Sequence, residues 1–172
     1  MKNKIVVLVA LSVLAGCATT GPAGETATAQ LMPRSGSQAE GTVSFRQQGD
    51  KVMMTVDVKG LKPNAEHGFH VHEKGDCSAA DGTSAGGHFN PAGTQHGHFA
   101  GSEHHAGDMP SLKADANGHA GGTFELSGPT VAAGPASIVG RGVIVHRDPD
   151  DFKTQPTGNS GARIACGVIV KS

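Results

Sequence analysis

Apolar and polar positions alternate along much of this chain with a period of two, the mark of a half-buried β-strand. Gly41-Thr42-Val43-Ser44-Phe45-Arg46 alternates, and Val52, Met54, Val56 and Val58 do so again between Lys51 and Val58. Gly49-Asp50 lies between the two runs, so together they predict a β-hairpin. A short candidate strand covers Thr28–Met32, Pro63-Asn64 marks the next turn, and His67–His72 forms the next strand. Further strands are predicted at Ser111–Ala114, Gly122–Leu126, Gly142–His146 and Ala165–Val170, with a turn at Asp115-Ala116-Asn117-Gly118. The alternation fails over two long stretches, Gly75 to Pro110 and Arg147 to Ala162. About eight short strands with two long loops predict one all-β domain, a sandwich or flattened barrel. No internal repeat is present.

Composition supports that class: aromatic content is 3%, with no Trp or Tyr, against 26 Gly. The length of 172 residues suits one domain. The first 16 residues read differently. Lys2 and Lys4 precede the apolar run Ile5–Leu14, which is short for a membrane span, and Leu14-Ala15-Gly16-Cys17 follows. This pattern reads as a lipoprotein signal peptide over 1–16, with Cys17 as the lipid acceptor; a plain secretory signal containing a cysteine is the competing reading. Residues 17–27 then form a flexible tether, and 28–172 the folded domain. On this reading the protein is exported and lipid-anchored on the periplasmic side of a bacterial membrane. Ala18 after the cysteine favours the outer membrane in a Gram-negative cell. Removing 1–16 leaves 12 basic against 15 acidic residues, net −3, and no clustered basic surface for nucleic acid. Cys77 and Cys166 remain in an oxidising compartment and are expected to pair.

Ten histidines in a chain of this size point to metal. In a strand, His70 and His72 face one side and Val71 the other, so two imidazoles converge on one spot. The loop from Gly75 to Pro110 carries Cys77, five histidines and Asp108. A loop this long without secondary structure is either functional or pinned. His88, His96, His105 and Asp108 would offer three nitrogens and one carboxylate, a donor set suited to tetrahedral zinc.

Gly68-Phe69-His70-Val71-His72, Gly87-His88-Phe89-Asn90-Pro91, Gly107-Asp108, Val145-His146 and Gly158–Ile169 resemble the signature segments of copper,zinc superoxide dismutases. The resemblance runs from about Thr28 to Lys171. It implies an eight-stranded Greek-key fold, and disproportionation of superoxide to oxygen and hydrogen peroxide by copper cycling between oxidation states. It places copper on His70, His72, His88 and His146, and zinc on His88, His96, His105 and Asp108, with His88 shared and acting as a proton donor. Asp150 would link a copper histidine to a zinc histidine, and Arg163 would attract and orient the anion. Lys74, Lys113 and Lys153 are candidates for the rim of a positive funnel. His67, His98, His104 and His119 are left over, as surface histidines. A non-enzymatic copper buffer would be expected to lack a copper histidine or the arginine, and none is missing. An envelope lipoprotein with a purely structural role would leave the histidines unexplained. Bacterial relatives often dimerise through aromatic side chains, and the lack of Tyr and Trp leaves homodimer and monomer both open.

Overall fold

The computed structural model describes residues 24–172; the signal segment 1–16 and Cys17 lie outside the described residues. Nine strands follow one another: β1 Thr26–Pro33, β2 Glu40–Gln48, β3 Lys51–Lys59, β4 Glu66–His67, β5 Phe69–His72, β6 Leu112–Lys113, β7 Ala120–Ser127, β8 Gly142–His146 and β9 Arg163–Lys171. β1 begins at Thr26, two residues before the expected start of the domain. The only helical turn among the described residues is the 3-10 turn Thr83–Ala85.

The predicted hairpin forms with Gln48 opposite Lys51, which brings Phe45 opposite Met54 and Val43 opposite Val56. Both members of each pair are buried. Facing pairs of this kind fix register, because a slip by one residue would turn every apolar side chain to water. Gly49 turns the hairpin in the left-handed region, at φ +61°. Seven strands join in the order β5-β8-β9-β1-β2-β3-β7, every pairing antiparallel.

The expected strand His67–His72 is interrupted at Gly68, where the chain changes partners. β4 pairs with β6, whereas β5 pairs with β8. The Gly68 amide donates to Asp148 O and its carbonyl accepts from the His146 amide, 2.8 Å each, so its backbone serves the neighbouring loop and strand. Counted as one run, β4–β5 brings the total to the eight expected. β4 continues into β5 at one edge of the sheet while β6 packs beside β7 at the other. The sheet therefore curls into a flattened barrel. Its core takes Ala27, Ala29 and Leu31 of β1, the inward residues of the hairpin, Phe69 and Val71 of β5, and Val143, Val145 and Ile169. Complete burial of each larger side chain contributes roughly 1.5–3 kcal/mol.

Candidate metal centre

The site is built on the outer face of β5. Phe69 and Val71 enter the core, and His70 and His72 therefore point the other way, yet all four residues are buried. The long loop supplies the cover. Its middle and its last turn run alongside β5: Phe89 N–H donates to Val71 O, Val71 N–H to Gly107 O, and Gly107 N–H to Phe89 O, each at 2.9 Å. His88 and Asp108 are thereby placed opposite His72 and His70. The start of the loop is tied down by the Cys77–Cys166 disulfide, which joins it to β9 across a separation of 89 residues.

Two groups of donors result. His70, His72, His88 and His146 form one, and His88, His96, His105 and Asp108 the other; all members are buried, and within each group the donor atoms lie within 4.8 Å of one another. His88 belongs to both. In the second group three Nδ1 atoms converge on one carboxylate oxygen, Asp108 Oδ1, with His88 and His96 at 3.0 Å and His105 at 3.5 Å. The other carboxylate oxygen accepts backbone amides from His105 at 2.8 Å and Gly97 at 3.1 Å.

Partners outside the groups set the tautomers, since a carbonyl or carboxylate oxygen must receive a proton from the ring nitrogen it meets. His72 donates from Nδ1 to Gly86 O at 2.9 Å, and His146 from Nδ1 to Gly161 O at 3.2 Å. His70 donates from Nε2 to Asp150 Oδ2 at 2.7 Å, and His96 from Nε2 to Asp150 Oδ1 at 3.0 Å. Asp150 therefore spans the two groups, while its neighbour Asp151 caps the amides of Lys153 and Thr154 at the surface. The inward nitrogens of His70 and His88, Nδ1 and Nε2, are buried with no hydrogen-bond partner.

Burial works against charge on these rings. It lowers His70, drives His72 well below the ordinary histidine value, and takes His88 to about 4 and His146 to about 3. Burial would lower His96 too, but the Asp108 and Asp150 carboxylates outweigh it and raise the ring to about 9. Burial alone would raise both carboxyls, yet hydrogen bonds from the histidines hold Asp108 and Asp150 well below the usual carboxylate range.

Arg163 opens β9 opposite His146, and the ladder between β8 and β9 is irregular there. Val145 pairs with Ala165 but His146 with Arg163, so Ile164 is an extra residue, and the bulge brings the arginine level with the histidine. Its Nη1 donates to Gly82 O at 2.7 Å and its Nη2 to Gly86 O at 2.6 Å. Gly86 O thus receives both Arg163 and His72. Two of the five guanidinium N–H groups are engaged by these bonds.

Of the expected rim residues, Lys74 and Lys153 are exposed on the two loops. Lys113 instead lines a cleft of about 320 Å³ with Glu66, Phe124 and Phe152. Among the remaining histidines, His98 and His119 are exposed and His104 half-buried, but His67 is not a surface residue. It is 1% exposed. Its Nδ1 donates to His146 O at 2.8 Å. The signal for this was present: the alternation that turns His70 and His72 outward places His67 on the core side with Phe69 and Val71. Gln155, whose side chain meets the His96 backbone, carries no comparable signal.

Residues 39–169 match the family described as copper/zinc superoxide dismutase. The superoxide dismutase [Cu-Zn] of Paramecium bursaria Chlorella virus 1 is 46% identical over 137 residues, covering 76% of this chain and 72% of that protein. That of Yarrowia lipolytica is 45% identical over 144 residues, 79% of this chain and 92% of the other. A solved double mutant of a SOD-like protein from Bacillus subtilis superposes with a TM-score of 0.76 at 37% identity, over 83% of this chain and 96% of that one. The curled antiparallel sheet is the all-β Greek-key barrel architecture of these structures.

Proposed function

The chain belongs to the copper/zinc superoxide dismutase family, and on that premise we propose that it converts two superoxide ions into oxygen and hydrogen peroxide. Copper is assigned to His70, His72, His88 and His146, and zinc to His88, His96, His105 and Asp108. Four imidazoles suit copper, and three imidazoles with one carboxylate suit tetrahedral zinc. The residues fit both ions. Unpartnered buried nitrogens are rare in folded proteins, yet His70 Nδ1 and His88 Nε2 are two of them within one group. In the same group His72 Nε2 and His146 Nε2 lie 3.4 Å apart, each left with a lone pair by its Nδ1 bond. A cation between them satisfies all four.

The observation that carries the reading is the placement of His88. Its Nδ1 is turned to Asp108 at 3.0 Å, while its Nε2 is buried and free on the side of the other group. Copper, when bound, supplies a one-electron acceptor and donor, and zinc a fixed positive charge. The protein supplies the remainder. His88 Nε2 is the atom placed to hold a proton and release it to the reduced anion, while Nδ1 keeps the ring oriented. Asp150 fixes the rings of His70 and His96 against rotation. Arg163, half-buried beside His72 and His146, draws the anion in and orients it through its remaining N–H groups.

The test is superoxide decay by the domain reconstituted with copper and zinc, beside His146→Ala. Fast decay in the parent and collapse in the variant support the assignment. Tight copper binding by a parent that leaves superoxide decay unchanged replaces it with the copper-buffer reading. We also assign Cys17 as a lipid anchor outside the cytoplasm, a location that suits the Cys77–Cys166 disulfide. Radiolabelled palmitate incorporation that disappears in Cys17→Ala supports the anchor, and equal labelling in both overturns it.

A further inference from the structure

His96 is the residue on which the two long loops meet. Its ring is held between Asp108 on the first loop and Asp150 on the second, each at 3.0 Å. A ring held at both nitrogens has one correct orientation, and a small displacement of its backbone would break one contact or the other. The backbone of His96 has a partner of its own. The Gln155 side-chain amide accepts from His96 N–H at 2.9 Å through Oε1 and donates to His96 O at 2.9 Å through Nε2. A primary amide paired with both polar groups of one residue fixes translation along the chain as well as rotation about it. The second loop adds a further hold nearby, with the Phe152 ring lying 4.8 Å from that of His98 between centroids.

We propose that Gln155 is a positioning residue for the zinc group, pinning the His96 backbone so that its ring reaches Asp108 and Asp150 together. Gln155 itself is exposed and fills no part of the core. Its removal therefore leaves no cavity, and its effect is concentrated on the geometry of His96. Because Asp150 also holds His70, the consequence extends to the orientation of a copper-group ring. The inference rests on the zinc assignment made above.

The experiment uses the parent domain, Gln155→Ala and Gln155→Glu, with zinc affinity measured by chelator competition and cobalt(II) used as a spectroscopic probe of the same donors. Glutamate keeps the acceptor for His96 N–H and loses the donor to His96 O. Loss of ligand-orienting contacts typically weakens metal binding 10–100-fold. The expected result is about tenfold weaker zinc binding and shifted cobalt d–d bands in Gln155→Ala, with Gln155→Glu between it and the parent. Glutamate also carries the test if the alanine variant does not fold. Zinc affinity within twofold of the parent, or weaker binding with unaltered cobalt bands, overturns the positioning role. A parent that gives no tetrahedral cobalt spectrum overturns the zinc assignment itself, an outcome distinct from a parent and variants that bind alike.

Discussion

Gly158 has two reasons to be glycine, and they can be measured separately. Its φ is +66°, and a Cβ there would lie 1.9 Å from Asp150 Oδ1 and 2.6 Å from His96 Nε2. The backbone cannot retreat easily, because Gly158 N–H donates to Thr154 O at 2.7 Å and its carbonyl accepts from Asp151 N–H at 3.0 Å. In Gly158→Ala the Asp150 carboxylate must therefore move away from His96. The left-handed backbone costs an alanine roughly 1–2 kcal/mol, and losing a hydrogen bond to a charged group costs about 1.5–3 kcal/mol more. The sum is about 2.5–5 kcal/mol. Gly49 supplies the control: its φ is +61°, but a Cβ there would meet nothing within 4 Å. Gly49→Ala should lose only the backbone share. Urea unfolding of the disulfide-intact, metal-stripped variants gives both values by linear extrapolation. Equal losses in the two variants would show that the contact between Asp150 and His96 contributes nothing, and the reasoning would fail.

The disulfide, the arginine and the buried histidines each yield a further expectation. Replacing Cys77 and Cys166 by serine removes a cross-link spanning 89 residues, for about 4–5 kcal/mol in the chain-entropy model, read as a lower urea midpoint. The same change releases the segment that offers Gly82 O and Gly86 O to Arg163, so turnover per bound copper should fall as well; unchanged turnover would contradict that link. Arg163→Lys keeps the charge but loses the fork that grips two carbonyls, and about tenfold slower superoxide decay at unchanged copper content is expected. Full activity in the lysine variant would reduce the role of the arginine to charge alone. In the metal-stripped chain His88 sits at about 4 and His146 at about 3, both below the unfolded value near 6.5. The unfolded chain then takes up protons first, so stability falls as pH drops from about 6.5 towards 4, on the order of 3 kcal/mol from His88 alone. His96, with a value of about 9, is already protonated in the folded chain over that window and opposes the loss by only about 0.4 kcal/mol as the unfolded ring finishes protonating. A urea midpoint flat from pH 6.5 to 4 would refute the burial argument.

Much of this architecture is legible in single residues. The run from Val52 to Val58 alternates so strictly that its buried face follows from the pattern, and Gly49-Asp50 beside it gives its hairpin partner. His70 and His72 follow from the same rule, because alternation decides which side of a strand a ring occupies. The loops obey no such rule. The position of His96 depends on Asp108, Asp150 and Gln155, which lie 12, 54 and 59 residues away, and no local pattern encodes contacts across those distances. The break at Gly68 is hidden for a related reason. It exists because Asp148 and His146 need backbone partners, and both belong to a distant part of the chain. His67 was readable, but a histidine near other histidines invites comparison with ligands rather than with Phe69.

The division of β5 into a core-facing and a histidine-bearing side has a consequence for quality control during folding. A shift of β5 by one residue against β8 would send His70 and His72 into hydrocarbon and Phe69 and Val71 out among the loops. The same error removes the ion site and the barrel interior together. An ion bound in the first group would therefore report on strand alignment: only a correctly threaded barrel brings the four imidazoles of His70, His72, His88 and His146 together.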